Sequence, residues 1–419
     1  ELTTGATYTI SSGTTAVSQI NSAIAAANTA GPNVITTIKL GATIQLTGSL
    51  ASFTKITGYV LFDFNGNSLL MNYITHSNYS GSNTDHQLPS ANKGSYFNGT
   101  DCFTNGMFMI ASGGTMKIIN SKPDNISNMQ VYTELFDGND NDSSTHQTSS
   151  SLIYNEGTLI IGDTDTTKND FNLYAHSVCK NTHDGNWAWN GTKSATANCY
   201  TVTLNSSSAI LKMYGGKVEA TGAARAKRGT YADTLCYALN VNNCYSAEIY
   251  GGEINIPSMP TSIEQNNGIF QATGKACEGG TSRITAIRCN SPYLYIFDVS
   301  SSVYSRTGTD SSKNNNQYTS NIWSTSDANA ANVFGGYFYC WVDKGDNDST
   351  ATNHGYIVRG AFKIPSNGTL IPSAVSGSDH GYVAPGKGAQ LSSSYAGYTV
   401  FITDNGVVRD ASNKIVATN

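Results

Sequence analysis

The chain has 419 residues, a formal net charge of −5, 13% charged and 39% hydrophobic residues. So few charges exclude nucleic acid as a partner, because neutralising phosphates takes clustered Lys and Arg; the best cluster, Arg225-Ala226-Lys227-Arg228, is short and reads as a solvated loop. Low hydrophobicity combined with a small net charge and 10% aromatics is not the profile of a disordered chain; it fits a β-rich protein whose turns are built from Asn, Gly, Ser and Asp.

Thr15–Asn28 predicts a helix. Thr14 or Thr15 stands at the N-cap, Val17, Ile20 and Ile24 share one face, and Gly31-Pro32 ends it. Strand-like stretches follow at Val34–Leu40, Thr43–Leu46 and Tyr59–Met71. The helix, the phrase Gly41-Ala42-Thr43-Ile44-Gln45-Leu46 and the Asp63–Leu69 turn together resemble the entry coil of right-handed parallel β-helices of the pectin-lyase-like group. The resemblance implies an all-β fold: a right-handed parallel β-helix, or stacked β-layer solenoid, with an N-terminal helix covering the apolar end of the first coil. Such a cover removes an unpaired edge that would otherwise invite association.

Further along, Gly114–Ile119 and Gly157–Gly162 have the same strand style. Leu211-Lys212-Met213-Tyr214-Gly215-Gly216-Lys217-Val218 then returns as Ala247-Glu248-Ile249-Tyr250-Gly251-Gly252-Glu253-Ile254, and again as Ala331-Asn332-Val333-Phe334-Gly335-Gly336-Tyr337-Phe338. Self-similarity of this kind marks stacked coils, with each Gly-Gly as the structural turn between two short strands. The phrase resembles repeats common in large secreted surface proteins of microbes. The breaks lie 36 residues apart from Gly215 to Gly251 and 84 apart from Gly251 to Gly335. Either several coils carry long excursions or two layers of strands are interleaved; the candidate excursions are Thr75–Phe103, Asp137–Ser150, Cys179–Cys199, Arg225–Cys236 and Ser302–Asn332. Later strands are expected at Tyr293–Val299, Tyr356–Ile364 and Tyr398–Thr403. The organisation is a cap helix and first coils (1–71), a β-helix body with excursions (72–373), and C-terminal strands (374–419).

Eight cysteines stand at Cys102, Cys179, Cys199, Cys236, Cys244, Cys277, Cys289 and Cys340, with no CxxC pair. An even number without metal-type spacing reads as disulfides. Pairing near neighbours gives Cys236–Cys244, Cys277–Cys289 and Cys179–Cys199, which leaves Cys102–Cys340. Glycosylation sequons begin at Asn78, Asn98, Asn125, Asn141, Asn190, Asn205, Asn347 and Asn367. The chain opens at Glu1 with no Met and no apolar leader and reads as processed. No run of 18 apolar residues spans a membrane. The expected location is extracellular, at a cell surface.

Catalytic signatures are sparse, and no catalytic residue is assigned. The Asp-Asp, Gly-His-Gly and Arg-x-Lys set of polygalacturonase-like hydrolases is missing; Asn353-His354-Gly355 with Arg359 is the nearest approach. Arg283-Ile284-Thr285-Ala286-Ile287-Arg288 lacks the proline of the pectate-lyase-like pattern. The loop His183-Asp184-Gly185-Asn186-Trp187-Ala188-Trp189 offers an acid–base pair and two sugar-stacking rings, but reads better as a pinned excursion with a small satellite core. Asp137–Asp142, Asp163-Thr164-Asp165 and Asp346-Asn347-Asp348 approach the alternating oxygen ligands of a Ca²⁺ loop. None completes the twelve-residue pattern, so solvated turns are favoured over Ca²⁺, which stays the alternative, and no cofactor is assigned.

The reading that follows is a secreted structural protein: a homo-oligomer or polymer that builds a sheath, filament or surface coat through β-rich contacts. A polysaccharide lyase or hydrolase, or a tailspike-like β-helix, is the alternative, and an adhesin is the third; both take glycans as partners.

Overall fold

The computed structural model describes residues 1–46, 52–77, 96–97, 106–137, 146–181, 194–224, 231–257, 281–307, 316–329, 331–333 and 336–344, followed by six short strands between 360 and 417. Three sheets of thirteen, eleven and six strands dominate these residues. They are visited in a fixed order. Thr158–Ile161 lies in the first sheet, Phe171–Asn181 in the second and Ser194–Asn205 in the third; Ile210–Met213 then returns to the first beside Thr158–Ile161. The same round recurs from Tyr59–Asp63 to Ala331–Val333, with parallel pairing between successive rungs. The arrangement is compatible with a β-helix-like solenoid.

Strand alternation aligns like residues across rungs. Ile38, Phe62, Ile118, Ile161, Met213, Ile249, Ile296 and Val333 are register partners down the first sheet, and all are buried. Phe108, Ile153, Val202, Leu239, Ile287 and Ile322 form the matching column of the third sheet. Each such side chain contributes roughly 1.5–3 kcal/mol by leaving water. Near the first rungs the core is aromatic: Phe62 meets Phe64 edge-on at 5.2 Å and Phe108 at 5.8 Å.

The expected helix forms over Ala16–Ala30 and buries Ala16, Ile20, Ala23, Ile24 and Ala27. Thr15 occupies the N-cap, but its side chain makes no capping bond. The helix is tied to the first rungs by two asparagines seven residues apart. Asn21 Oδ1 accepts from Thr54 N at 2.7 Å, and Asn28 Oδ1 accepts from Thr57 N and Gly58 N at 2.8 and 3.0 Å. A Cβ on Gly58 would sit 2.1 Å from Ala27 O, so the helix presses directly on the chain there. Among the described residues, no helix is long and apolar enough to cross a membrane.

The 84-residue gap between Gly-Gly breaks holds an additional rung, formed by the strand expected at Tyr293–Val299. Leu294–Ile296 pairs with Ser246–Ile249 on one side and Ala331–Val333 on the other. Its turn is Phe297-Asp298-Val299, so the glycines that mark the other turns are missing. The expected excursion Ser302–Asn332 is likewise largely ladder: Ser300–Thr307 lies in the second sheet and Asn316–Ser324 in the third. After Gly360–Lys363 the first sheet turns antiparallel, through Thr399–Ile402, Val408–Asp410 and Ile415–Ala417.

Candidate functional site

Each Gly-Gly turn is held by the rung before it. Tyr214 N donates to Ile161 O, Tyr250 N to Met213 O and Phe297 N to Ile249 O, all at 2.8 Å. Beyond the turn, Glu253 N donates to Gly216 O and Ser300 N to Gly252 O, both at 2.9 Å. The ladder therefore runs through the corner without a break. Gly216 and Gly252 adopt φ of +81° and +95°, in the left-handed region that favours glycine. A Cβ on Gly251 would lie 2.9 Å from Tyr214 O, and one on Gly252 2.7 Å from Gly216 O. Gly336 has the same left-handed character, with φ of +122°; Gly335 lies outside the described residues.

Corner registration stacks the residues that precede the glycines. The rings of Tyr214 and Tyr250 lie 5.3 Å apart and those of Tyr250 and Phe297 5.0 Å apart, each pair within 10° of parallel. Tyr250 is sandwiched between the other two rings, so its exposed part is its edge. Tyr245 and Tyr293 stand exposed on the same two rungs as Tyr250 and Phe297. These four are most of the exposed large apolar side chains among the described residues; the others, Leu2 and Ile126, stand apart. The outward column in the middle of this sheet runs Leu61, Lys117, Ile160, Lys212, Glu248, Tyr295, Asn332. Glu248 accepts a 2.6 Å hydrogen bond from the Tyr250 hydroxyl, and that bond pushes the phenol up to about 12.

Asparagines tie the other turns. Asn120 is fully buried: its Oδ1 accepts from Gly66 N and Lys122 N, and its Nδ2 donates to Asn125 O and Asp170 O. Asn205, one of the sequon residues, belongs to a similar ladder. Its amide donates to the Tyr154 hydroxyl and its Oδ1 accepts from Asn242 Nδ2 at 2.6 Å. Asn125 is exposed. Asn78, Asn98, Asn141, Asn190, Asn347 and Asn367 lie outside the described residues.

The disulfide expectation needs correction. Cys199, Cys236, Cys244 and Cys289 are buried free thiols. Cys236 does not bridge to Cys244, because it sits inside the third sheet as the register partner of Cys199, while Cys244 lies past the strand end and bonds Ser291. Cys199 donates instead to Ala175 O at 2.8 Å. Burial pushes the Cys236 and Cys244 thiols up, and that of Cys289 up to about 12, so these groups stay protonated. The side chains of Cys102, Cys179, Cys277 and Cys340 lie outside the described residues.

Asp163 and Asp165, read as a turn with a calcium-like pattern, are engaged by protein groups. Asp163 accepts from Lys117 Nζ at 2.6 Å. Burial opposes its ionisation, but the bonds from Lys117 and the Asp165 amide prevail and hold the carboxyl below its ordinary value. Asp165 caps the short 3₁₀ turn Thr166–Lys168 through Thr167 N. Among the described residues no three His, Cys, Asp or Glu side chains converge as a metal site. The loop with His183, Asp184, Trp187 and Trp189, the turn Asp346–Asp348, and Asn353–Arg359 lie outside the described residues. Arg288 lies on a third-sheet strand, over the rings of Tyr237 and Trp323 at 5.8 and 5.4 Å, and donates to Asn240 and Asn242. It is a structural clamp.

A residue that sequence reasoning passed over is His176. It is fully buried between the second and third sheets, with Nδ1 3.0 Å from the Tyr174 hydroxyl. Burial pushes its imidazole down to about 3, so it is neutral at any ordinary pH. Two members of the aromatic column, Tyr214 and Tyr250, stand ahead of a Gly-Gly, but Phe297 does not, because Asp298-Val299 follows it. No known protein family, curated protein or solved structure matches the chain.

Proposed function

We propose that the protein is a secreted structural subunit, wound as a right-handed parallel β-helix of the pectin-lyase-like kind, that self-assembles into a filament, sheath or surface coat. The observation that carries this reading is the ladder itself. Backbone pairing and side-chain columns pass from rung to rung through strand and corner alike, so each added rung repeats the contacts of the last. The right hand follows from the strong preference of parallel crossovers for that sense. At one end, Thr3–Ile10 pairs with Val34–Leu40 and turns most of its side chains to solvent. It ends the first sheet among the described residues, and a sheet edge accepts another strand. The columns seen here are packing and turn devices, which supports building material over catalysis.

Sedimentation velocity of the purified protein over a hundredfold range of concentration tests the reading. Species that grow in multiples of the 44.4 kDa chain support it. A single monomeric boundary throughout, together with release of fragments from a polysaccharide, overturns it in favour of a glycan-cleaving β-helix.

A further inference from the structure

We infer that the outer face of the first sheet packs side by side on the same face of a second copy, with the two stacks running in opposite directions. This deepens the assembly reading and rests on it. Exposed aromatics gather on this face: Tyr245 and Tyr250 on one rung, Tyr293 and Phe297 on the next. A clustered apolar surface rimmed by polar groups is a contact site. Both faces of the Tyr250 ring are covered, by Tyr214 and by Phe297, so that ring offers a sugar no stacking face.

The charges select the second copy and its orientation. Lys212 and Glu248 are register partners on neighbouring rungs, both pointing outward, yet they form no ion pair with each other. Lys217 pairs with Glu253 and Lys117 with Asp163, whereas Lys212 makes no salt bridge among the described residues. Consider a two-fold axis in the interface, parallel to the strands and midway between these two rungs. It sets Lys212 on Glu248 of the second copy and Glu248 on Lys212 of the second copy. The same operation sets Tyr214 against Tyr250 of the second copy, so corner column meets corner column. A two-fold along the stack would instead set Lys on Lys or Glu on Glu when rungs align, which is repulsive. The charges are thus satisfied by one operation, which seats Phe297 on the Gly162 corner of the second copy and is isologous, as closed homodimers require.

Charge swapping tests the pairing. Lys212→Glu and Glu248→Lys, each alone, create two like-charge contacts per pair and should weaken side-by-side association by roughly tenfold or more. The double variant restores both contacts and should recover association to within about threefold. Rod width by negative stain reads the lateral contact, and rod length reads the end-to-end one. Because each single variant also places like charges on neighbouring rungs of its own chain, Phe297→Ser is the companion. It leaves the charges alone and should also narrow the rods, while the melting curve shifts down only by the lost stacking on Tyr250. Rods of wild-type length but single width in the unmodified protein overturn this pairing and leave the assembly reading standing. Double-width rods in both single variants, or no recovery in the double variant, also overturn the pairing. Isolated monomers in the unmodified protein overturn both.

Discussion

Replacing Gly252 with alanine, and Gly113 with alanine as its control, separates the two reasons a turn needs glycine. Both residues have positive φ, +95° and +84°. A Cβ on Gly113 meets nothing within 4 Å, so that variant bears only the left-handed penalty, about 1–2 kcal/mol. A Cβ on Gly252 falls 2.6 Å from Met213 Cε, 2.7 Å from Gly216 O and 3.0 Å from Gly215 C. The methionine end can swing aside. Gly216 O cannot, because it accepts the Glu253 amide at 2.9 Å and belongs to the preceding rung. Relief requires the two rungs to part, at a further cost of about 1–3 kcal/mol, the range for overpacking. Urea unfolding of the two variants, followed by circular dichroism, measures the difference. Gly252→Ala should lose about 2–5 kcal/mol, and at least 1 kcal/mol more than Gly113→Ala. Equal losses would refute the argument that corners are stacked in contact.

His176 predicts acid sensitivity. Its folded pKa is depressed to about 3, below the unfolded value of about 6.5, so the unfolded chain takes up a proton that the fold refuses. The neutral imidazole's contribution is complete above about pH 6.5 and falls as pH drops toward 3, by about 1.4 kcal/mol per unit. Between pH 7.5 and 5 the wild type should therefore lose about 2 kcal/mol that His176→Gln retains; parallel pH profiles by urea titration would contradict this. Asn120→Ala strips partners from Gly66 N, Lys122 N, Asn125 O and Asp170 O at once. With about 1–3 kcal/mol for each buried group left unpaired, the loss should be about 3 kcal/mol or more in the same assay, and a loss below about 1 kcal/mol would show that water replaces the amide.

What was legible in the sequence came from local punctuation. The helix was readable because Ile20 and Ile24 share a face and Gly31 stops it. Rungs at 211–218 and 247–254 were readable because Gly-Gly cannot be swapped freely where φ is positive and a neighbouring carbonyl sits under 3 Å away. The strand expected at Tyr293–Val299 forms, but it was not readable as a rung of the same repeat because its corner solves the same problem differently. Phe297 N and Asp298 N both turn onto Ile249 O, at 2.8 and 3.3 Å, and no glycine is needed. Third-sheet strands such as Thr281–Cys289 and Asn316–Ser324 escaped because their inward residues include Thr285, Asn321 and Ser324. Those small polar residues read as loop until a facing sheet supplies partners, as Ser301 does for Asn321. Cysteine pairing failed for a related reason. Spacing along the chain is no guide when the spatial neighbour of Cys236 is Cys199, one rung away. Asn120 and Asn205 carry nothing in their local sequence that distinguishes a ladder amide from a solvated turn.

Cryo-electron microscopy of the assembled protein at a resolution that separates strands tests the central claim most directly. The account predicts filaments in which the rung spacing, about 4.7–4.9 Å, continues without interruption from one copy into the next across the edge at Thr3–Ile10. Isolated particles, or filaments joined through loops with that edge left facing solvent, would contradict it.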